Sequence, residues 1–404
     1  MAEERQVRCQ VVVNATPELA FEAVTAASEL REWFSDEART EVQPGGRYEV
    51  RWQRGYRAEG KFTSVEAPCH TAFTWQGTGE PGETQVEVTV EPAGNRVAVI
   101  VVHSKFGSGE AWEQAMAEAE KGWTTGLENL QSTLETGVDL RIARRPFMGI
   151  LPGQLDADRI AREGIAVNEG VYLAGTVEGS AAAAAGLCQG DVIVSVGGEE
   201  TPGFAELGAT LGARQIGDVV ELELVRGQKR EKVVLTLGSR PHADAGGTAD
   251  GLAQLMARGY AETDAELKAA LEGVSEQEAG ACPAEGEWSV KQVLAHLILS
   301  ERDGQSFLAN VAVSGWLDGG DGNPVAIPGR LAAVMGCLPT LPALMERYFD
   351  YEAETVAFLR SLPAETLAHR ARFRRMCDNV VFGPIHTRDH IKQIRNAVQA
   401  VRGR

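Results

Sequence analysis

The sequence lacks a long apolar run and is poor in basic residues. Its longest uninterrupted apolar stretch, residues 97–102, has the length of a strand, whereas a membrane-spanning helix needs about 20 apolar residues. Asp and Glu outnumber Lys and Arg by 57 to 39 in the 404 residues, which leaves a formal net charge of -18. Phosphate binding needs clustered Lys and Arg, so a nucleic-acid partner is not expected. The composition predicts neither a membrane-embedded protein nor a nucleic-acid-binding one.

Cysteine is scarce and scattered, without a C-x-x-C pair. The six residues are Cys9, Cys69, Cys188, Cys282, Cys337 and Cys377. This spacing argues against a disulfide framework and against a cysteine zinc site, and it predicts reduced, mainly buried thiols. The first residues, Met-Ala-Glu-Glu-Arg-Gln, also lack the apolar core of a signal peptide. We therefore expect a cytoplasmic location.

Histidine is scarce too, with seven residues in the chain, yet three of them form a chemical pattern. His386 and His390 lie four residues apart in a predicted helix, so both imidazoles can project from one helix face. His296 lies in a second predicted helix, within the motif at residues 288–297. Three imidazole ligands on one metal ion would leave a coordination position open for water or substrate. The alternatives are a solvent-exposed helix face for the pair and an isolated histidine among apolar residues for His296.

Residues 5 to about 137 show an α+β pattern: a strand, short helices, a run of antiparallel strands and one long helix. The long helix is predicted over about 109–135, because apolar residues recur there at three- and four-residue steps. This order resembles the START-like, or helix-grip, superfamily, and within it the branch homologous to the activator of heat-shock-protein-90 ATPase. The resemblance is carried by residues 15–24, 30–34, 44–48 and 122–130.

Members of that superfamily bind apolar small molecules or partner proteins, which implies a ligand cavity between the sheet and the long helix. Four of the seven tryptophans, Trp33, Trp52, Trp75 and Trp112, are expected to line this cavity. The alternative is that these large aromatic side chains fill the core of a small domain. The resemblance leaves the choice between the two open.

Residues from about 144 to 240 are rich in Gly and Val and predict short strands, tight turns and a short helix at residues 203–212. Two motifs, at residues 145–150 and 186–193, resemble the carboxylate-binding loop and the following core of a PDZ domain. The resemblance is to the circularly permuted form found beside bacterial HtrA-type proteases. No serine-protease signature accompanies the two motifs here.

The PDZ resemblance implies a peptide-binding groove. Backbone N–H groups of the turn would hold a C-terminal carboxylate, and the adjoining strand edge would pair with the peptide. Leu207 and Leu211, on the short helix, would line the pocket for the last apolar side chain of the peptide. The alternative is a structural spacer whose groove is closed by its neighbours, since a fold does not confer a function. The turn consists of Phe147, Met148, Gly149 and Ile150.

Beyond a linker at residues 241–248 the chain is predicted to be helical, and its four long helices indicate a bundle. The sequence places these helices at about 249–273, 289–313, 341–361 and 384–402. Two stretches, residues 287–297 and 386–394, resemble the second and last helices of the DinB-like metalloenzymes. The family's metal ligands then correspond to His296, His386 and His390.

The predicted architecture is therefore a multi-domain chain of three domains. An α+β helix-grip domain is expected at residues 1–140, and a mainly-β PDZ domain at 144–240. An all-α four-helix bundle is expected at 248–404.

The DinB resemblance implies a metal-dependent enzyme of the thiol S-transferase type. Zinc or nickel is the expected ion, and a low-molecular-weight thiol is the expected co-substrate, because a bound ion would favour the thiolate. Asp389 and Glu301 are candidates to orient an imidazole. The alternative function is a non-enzymatic, stress-related adaptor of co-chaperone type. It would bind C-terminal peptides and apolar ligands, with the bundle metal structural or absent.

Overall fold

The computed structural model describes residues 5–53, 55–314 and 328–403. It contains an N-terminal α+β region, a central β-rich region and an all-helical C-terminal region, so the predicted fold class is confirmed. By their internal contacts these regions form two compact units. One comprises residues 1–139 together with 243–404, and the other comprises residues 140–242.

The N-terminal region is one antiparallel sheet with a long helix. The seven strands are ordered β1-β7-β6-β5-β4-β3-β2, and every neighbouring pair is antiparallel. The first helix begins as the sequence predicts, because Thr16 accepts a hydrogen bond from the Leu19 N–H and Pro17 follows in the first turn. The elements are β1 (Val7–Val13), α1 (Pro17–Thr25), α2 (Ala27–Trp33), β2 (Glu37–Thr40), β3 (Arg47–Arg51), β4 (Arg57–Glu66), β5 (His70–Gly77), β6 (Thr84–Ala93), β7 (Arg96–Ser104) and α3 (Glu110–Thr136).

The core of this region joins the sheet to its helices. In β3, Tyr48 and Val50 are buried while their neighbours along the strand are less so, which is the period of two expected of a strand. In α3, Trp123, Leu127 and Leu130 are buried at four- and three-residue steps. Both sets belong to the same apolar cluster. The two periodicities therefore build one core.

The central unit is a small sheet with short helices. Its strand order is β13-β12-β10-β9-β8, with β11 paired to β10, so β8 forms an edge of the sheet. This edge matters because an added peptide strand can pair only with an edge. The elements are α4 (Leu140–Ala143), β8 (Ile150–Gly153), α5 (Ala157–Glu163), β9 (Val171–Thr176), α6 (Ala181–Ala184), β10 (Asp191–Val196), β11 (Glu199–Glu200), α7 (Phe204–Gly212), β12 (Val219–Arg226) and β13 (Lys229–Thr236).

In the ranges that the structure describes, the C-terminal region is a bundle of four long helices with three short ones. Helices α8 and α10 each pack against both α12 and α14. Helix α10, which carries His296, begins with the predicted pair of hydrogen bonds between Ser289 and Gln292. None of the helices in the described ranges is both long and apolar enough to cross a membrane. The elements are α8 (Ala249–Leu271), α9 (Glu276–Gly280), α10 (Val290–Ser314), α11 (Pro328–Cys337), α12 (Leu341–Arg360), α13 (Ala364–Ala368) and α14 (Arg370–Arg402).

Helix α14 is longer than the sequence predicts. The sequence places its start at Pro384, whereas the helix begins at Arg370 and contains this proline in its interior. An interior proline removes one backbone donor and normally breaks or kinks a helix. Here the apolar residues upstream, including Phe373, Met376 and Cys377, pack into the bundle core and stabilise the extra turns. The predicted start was therefore wrong.

Two ion pairs join α14 to α2 within one compact unit. Arg372 binds Glu29, and Arg375 binds Glu32 with both Nη2–Oε distances at 2.6 Å. The two glutamates are only 8% and 7% exposed. Burial by itself raises the pKa of Glu29, but a hydrogen bond with His369 and the charge of Arg372 reverse this and lower it overall. The N-terminal region and the bundle thus share a desolvated, charged contact.

The cysteines are all free thiols, but they are not mainly buried. Cys69, Cys188, Cys282 and Cys337 are exposed, and Cys377 is buried. The exposed four lie in turns and loops or at a helix end, where no apolar face is formed. The prediction of mainly buried thiols was therefore wrong.

Candidate functional site

Three histidines from two helices converge in the bundle. His296 lies on α10, and His386 and His390 lie one turn apart on α14. The Nε2 atom of His386 is 3.2 Å from the Nε2 of His296 and 3.2 Å from the Nε2 of His390. Nitrogen ligands of one tetrahedral zinc ion, with bonds of about 2.0–2.1 Å, lie ~3.3 Å apart. The structure thus brings the three predicted residues together at a spacing that suits a single ion.

The environment of this triad keeps its imidazoles neutral. Burial, followed by repulsion from the two other imidazoles, lowers the pKa of His296 to about 4. Partial desolvation by the surrounding protein and the neighbouring His390 lower the pKa of His386 to about 4, and burial lowers the pKa of His390 as well. Neutral imidazole is the form that binds a metal ion. His386 is exposed, so the triad is open to solvent on that side.

A glutamine fixes the ring of His390. The Nδ1 atom of His390 lies 2.9 Å from Oε1 of Gln393, so Nδ1 carries the proton and donates it to the amide oxygen. The lone pair of His390 then resides on Nε2, which faces the other imidazoles. Metal-ligating histidines are commonly oriented in this way by an outer carbonyl oxygen. In contrast, Nδ1 of His296 is buried and has no hydrogen-bond partner within the described residues.

The two carboxylates considered from the sequence as imidazole partners are engaged elsewhere. Asp389 binds Lys392 at 3.1 Å, and Glu301 accepts hydrogen bonds from Tyr260 at 2.5 Å and Thr355 at 2.6 Å. Sequence reasoning instead missed Gln393. Gln393 could have been found from the sequence, because a residue three positions after His390 lies on the same helix face.

The turn at residues 147–150 in the central unit has free backbone donors. The carbonyl groups of Met148 and Gly149 accept hydrogen bonds from Ala182 and Val177. Their N–H groups have no acceptor in the part of the chain that the structure describes. The edge strand β8 begins at the next residue. Two unpaired amides beside a free strand edge form an arrangement that can bind a peptide carboxylate.

The other residues predicted for this groove contribute unequally. Phe147 donates its N–H to the Gly238 carbonyl at 2.8 Å, so that donor is already used. Leu207 is 1% exposed and belongs to the core, whereas Leu211 is partly buried and packs against the core from outside. Strand β8 also contains Pro152, which offers no N–H to a partner strand. Pro152 therefore limits the backbone pairing that β8 can offer to a peptide.

The four predicted cavity tryptophans do not surround one open space. Trp33, Trp52 and Trp75 have ring centroids 4.9, 5.2 and 6.4 Å from that of Phe34. Trp112 lies in a separate small cluster. The void beside Trp33 has a volume of about 10 Å³, roughly the room that one water needs. Three of the tryptophans thus meet in a filled core, and ligand binding there stays a prediction.

A histidine outside the triad, His103, is buried beside Trp75 in the N-terminal region. His103 is 1% exposed, its Nε2 lies 2.7 Å from Oγ1 of Thr84, and its Nδ1 accepts a hydrogen bond from Nε1 of Trp123 at 3.2 Å. Because an indole can only donate, Nδ1 holds the lone pair and Nε2 donates to the hydroxyl. Burial lowers the pKa of His103 to about 4. Both ring nitrogens are satisfied by the protein itself.

Three family models match three separate segments of the chain. Residues 14–135 match Activator of Hsp90 ATPase homolog 1-like protein, residues 141–225 match the PDZ domain, and residues 260–394 match the DinB superfamily. The chain carries an activator-like, a PDZ and a DinB domain. The DinB segment includes all three histidines of the triad, and the PDZ segment includes the turn with the free amides.

Curated relatives match over the PDZ region. The "Probable periplasmic serine endoprotease DegP-like" of Pseudomonas putida is 32% identical over 136 residues, which are 32% of this chain and 28% of the relative. The "Periplasmic pH-dependent serine endoprotease DegQ" of Escherichia coli is 30% identical over 108 residues, which are 27% of this chain and 24% of the relative. The chain thus spans less than a third of the length of these relatives.

Solved structures give further likenesses, and two of them cover about a third of the chain. The Aha1 dimer from Colwellia psychrerythraea matches with a TM-score of 0.29 and 21% identity, covering 32% of this chain and 96% of that chain. An HSP90 activator from Plasmodium falciparum matches with a TM-score of 0.28 and 20% identity, covering 32% and 95%.

The DinB domain also contains buried carboxyl groups that the triad does not use. Glu352 is 3% exposed, and burial together with a hydrogen bond to Asp264 raises its pKa to about 9. Burial raises the pKa of Glu301 too. One oxygen of Glu352 and one of Asp264 are buried without a hydrogen-bond partner in the described ranges. The burial of Glu352 was not predicted from the sequence, because glutamates on amphipathic helices usually face solvent.

Proposed function

We propose that the DinB domain binds a divalent metal ion through His296, His386 and His390 and acts as a metal-dependent thiol transferase. The observation that carries the proposal is the convergence of three Nε2 atoms, with two separations of 3.2 Å. A neutral His386 carries one ring N–H, so it can donate a full hydrogen bond to His296 or to His390 but not to both. A metal ion would satisfy all three lone pairs at once.

The residues fit zinc or nickel. Imidazole nitrogen is a favoured ligand of both ions, and the low pKa values of His296 and His386 keep these ligands unprotonated at neutral pH. Gln393 fixes the tautomer that leaves Nε2 of His390 free. Three protein ligands leave a position for water or substrate, which is the pattern of catalytic rather than structural zinc sites.

The chain's own residues would orient and enclose a thiol substrate. A divalent ion in this position would stabilise a low-molecular-weight thiol as its thiolate, which is the nucleophilic form. The exposed His386 marks the side from which the substrate reaches the triad. Trp288, whose ring centroid is 5.2 Å from that of His296, supplies an apolar wall beside it. No cysteine of the protein is needed as nucleophile.

Metal analysis of untagged protein by plasma mass spectrometry tests this proposal. We expect one ion per chain in the unaltered protein, none in the His386→Ala/His390→Ala variant, and full content in His242→Ala, a histidine outside the triad. The metal-loaded protein should then transfer glutathione to a small electrophile, and the double variant should not. Absence of bound metal in the unaltered protein, even after reloading with zinc or nickel, would overturn the proposal.

As a second function we propose that the PDZ domain captures C-terminal peptides, which would make the chain an adaptor of co-chaperone type. The observation in favour is the pair of unpaired amides at Met148 and Gly149 beside the edge strand. In that role a bundle metal would be structural or absent. An apolar molecule bound by the activator-like domain would belong to the same role, and its binding would require the core at Trp33 to open.

Peptide capture is tested with matched peptides that end in a free carboxylate or in an amide. Only the free acid should bind, and Leu211→Ala should weaken its affinity by removing apolar contact. Gly149→Val should abolish binding, because this glycine has φ +86° and a Cβ there would lie 2.1 Å from Cβ of Ser180. Equal binding of acid and amide would place the peptide elsewhere.

We further propose a cytoplasmic location. All six cysteines are free and four of them are exposed, which suits a reducing compartment. The periplasmic names of the curated relatives concern proteins that share only the PDZ region with this chain. Fractionation of cells that express the chain at its native level checks the location.

A further inference from the structure

A groove with a volume of about 470 Å³ lies between α10, α11 and α12 of the DinB domain. This volume falls within the ~300–1,000 Å³ range of small-molecule sites. Ile298 and Arg302, which line the groove, follow His296 by two and six residues along α10. At 3.6 residues per turn they face the opposite side of the helix from the triad. The groove is therefore separate from the proposed metal centre.

The inner surface of the groove is apolar. Ile298 and Leu299 are 1% and 2% exposed, and Val334 on α11 is 9% exposed, so all three are anchored in the bundle core. Leu338 extends this surface from the end of α11. Such a floor can contact a hydrocarbon segment of a ligand and remove it from water.

Two arginines, Arg302 and Arg347, line the groove beside this floor. The guanidinium carbons of Arg302 and Arg347 are each 5.9 Å from the ring centroid of Tyr351. Neither forms an ion pair in the part of the chain that the structure describes. A third arginine in the groove, Arg330, is by contrast fully engaged by Asp303 through two hydrogen bonds of 2.8 Å.

Arg302 and Arg347 are cationic groups in a chain whose net charge is negative. The chain has 57 acidic and 39 basic residues, so a carboxylate partner within the protein is readily available to most arginines. Guanidinium groups bind carboxylates through two parallel hydrogen bonds, so each of these two arginines offers a binding group for a carboxylate. The groove therefore combines an apolar floor with two arginines that form no ion pair within the described residues.

We infer that this groove binds an amphiphilic organic carboxylate, with its head group between Arg302 and Arg347 and its hydrocarbon chain on the apolar floor. This site is independent of the metal chemistry proposed above. An inorganic anion would leave the floor uncovered, and a neutral hydrocarbon would leave the arginines unpaired.

Cys337 provides a direct readout, because it lines the groove and its side chain is exposed. The experiment measures its alkylation by iodoacetamide in the full-length protein, resolved by site with mass spectrometry. Decanoate, used below its micelle concentration, is the probe. The exposed Cys69 and Cys282, which do not line the groove, serve as references in the same sample.

We expect decanoate to slow the alkylation of Cys337 by about threefold or more, which corresponds to a ligand at twice its dissociation constant. The reference cysteines should react at unchanged rates, and decanol and acetate should protect Cys337 much less. The Arg302→Gln/Arg347→Gln variant should lose the protection. Arg395→Gln, an exposed arginine on α14, should keep it.

Three results would overturn the inference. The first is no protection of Cys337 by decanoate in protein whose circular dichroism is unchanged. The second is equal protection by decanol, which would make the groove merely apolar. The third is full protection in the double arginine variant, which would remove the head-group assignment.

Discussion

The histidine site of the activator-like domain and that of the DinB domain differ in what their ring nitrogens face. In the activator-like domain, His103 bonds Thr84 at 2.7 Å and Trp123 at 3.2 Å, so each nitrogen has its own protein partner. In the DinB domain, three Nε2 atoms face one another. Burial lowers the pKa of His103 and of His296 to about 4 alike. A lowered pKa therefore does not distinguish a structural histidine from a ligand, whereas the partners of its nitrogens do.

The largest effect should come from His296→Ala. We expect its zinc affinity to fall by more than the roughly 10- to 100-fold that loss of an outer hydrogen bond produces, because one of three ligands is gone. The metal-free protein should remain folded, since the variant also removes a buried nitrogen that has no partner among the described residues. Zinc titration against a chromophoric chelator and the thermal midpoint measure the two effects. Unchanged zinc affinity would show that the ligand assignment is wrong.

His103→Ala should give the opposite result. It leaves a cavity and deprives the Trp123 indole of its acceptor, so the free energy of unfolding should fall by about 3 kcal/mol. Metal content should not change. Urea unfolding followed by tryptophan fluorescence measures the loss, and His70→Ala, a strand residue that is only half-buried, is the matched control. A stable His103→Ala protein that lost its metal would reverse the two assignments.

Gln393→Leu should have an intermediate effect. Without the amide oxygen, Nδ1 of His390 loses the acceptor that fixes its tautomer, so zinc affinity should fall about 10- to 100-fold. Gln393→Glu should restore the acceptor and most of the affinity. Gln399→Leu, on an exposed part of the same helix, controls for a general change in α14. If Gln393→Leu and Gln399→Leu bind zinc equally well, the glutamine has no part in orienting the ligand.

The three domains were predicted from family resemblances over whole segments, and the pairing of His386 with His390 was predicted from their local spacing. His386 and His390 share a helix face wherever that helix lies, and Ser289 and Gln292 cap α10 by contacts three residues apart. The start of α14 could not be predicted in this way. Its first turns are stabilised by packing of Phe373 and Met376 into the bundle core, and that packing is a tertiary effect.

The charged contact between the activator-like domain and the bundle was equally hidden. Glu29 and Arg372 are 343 positions apart, and in the sequence each is an ordinary charged residue of an amphipathic helix. Only the assembled unit shows that the pairs of Arg372 and Arg375 with α2 are desolvated. The burial of Glu352 could not be predicted from the sequence either, because it follows from the positions of neighbouring helices rather than from its own segment.

The smallest effect on stability is expected at a buried carboxyl group, Glu352, rather than at an imidazole. Its pKa is raised from 4.5 to about 9, so the folded protein holds a proton that the unfolded chain releases above about pH 4.5. The stability from this group is therefore fully present below pH 4.5 and is lost progressively as the pH rises towards 9. Glu352→Gln keeps a neutral side chain and cannot lose that proton.

The variant should accordingly match the unaltered protein at pH 5 and exceed it at pH 8. We expect a gain on the order of 1 kcal/mol at pH 8, below the full linkage value, because the surroundings relax around a buried charge. Urea unfolding at both pH values measures it, and Glu354→Gln, an exposed neighbour on α12, should show no such difference. A gain of the same size at pH 5 and pH 8 would mean that Glu352 is ionised throughout. Glu352 would then be a charged group able to act as a ligand, in contrast to His103, whose ring nitrogens both have protein partners.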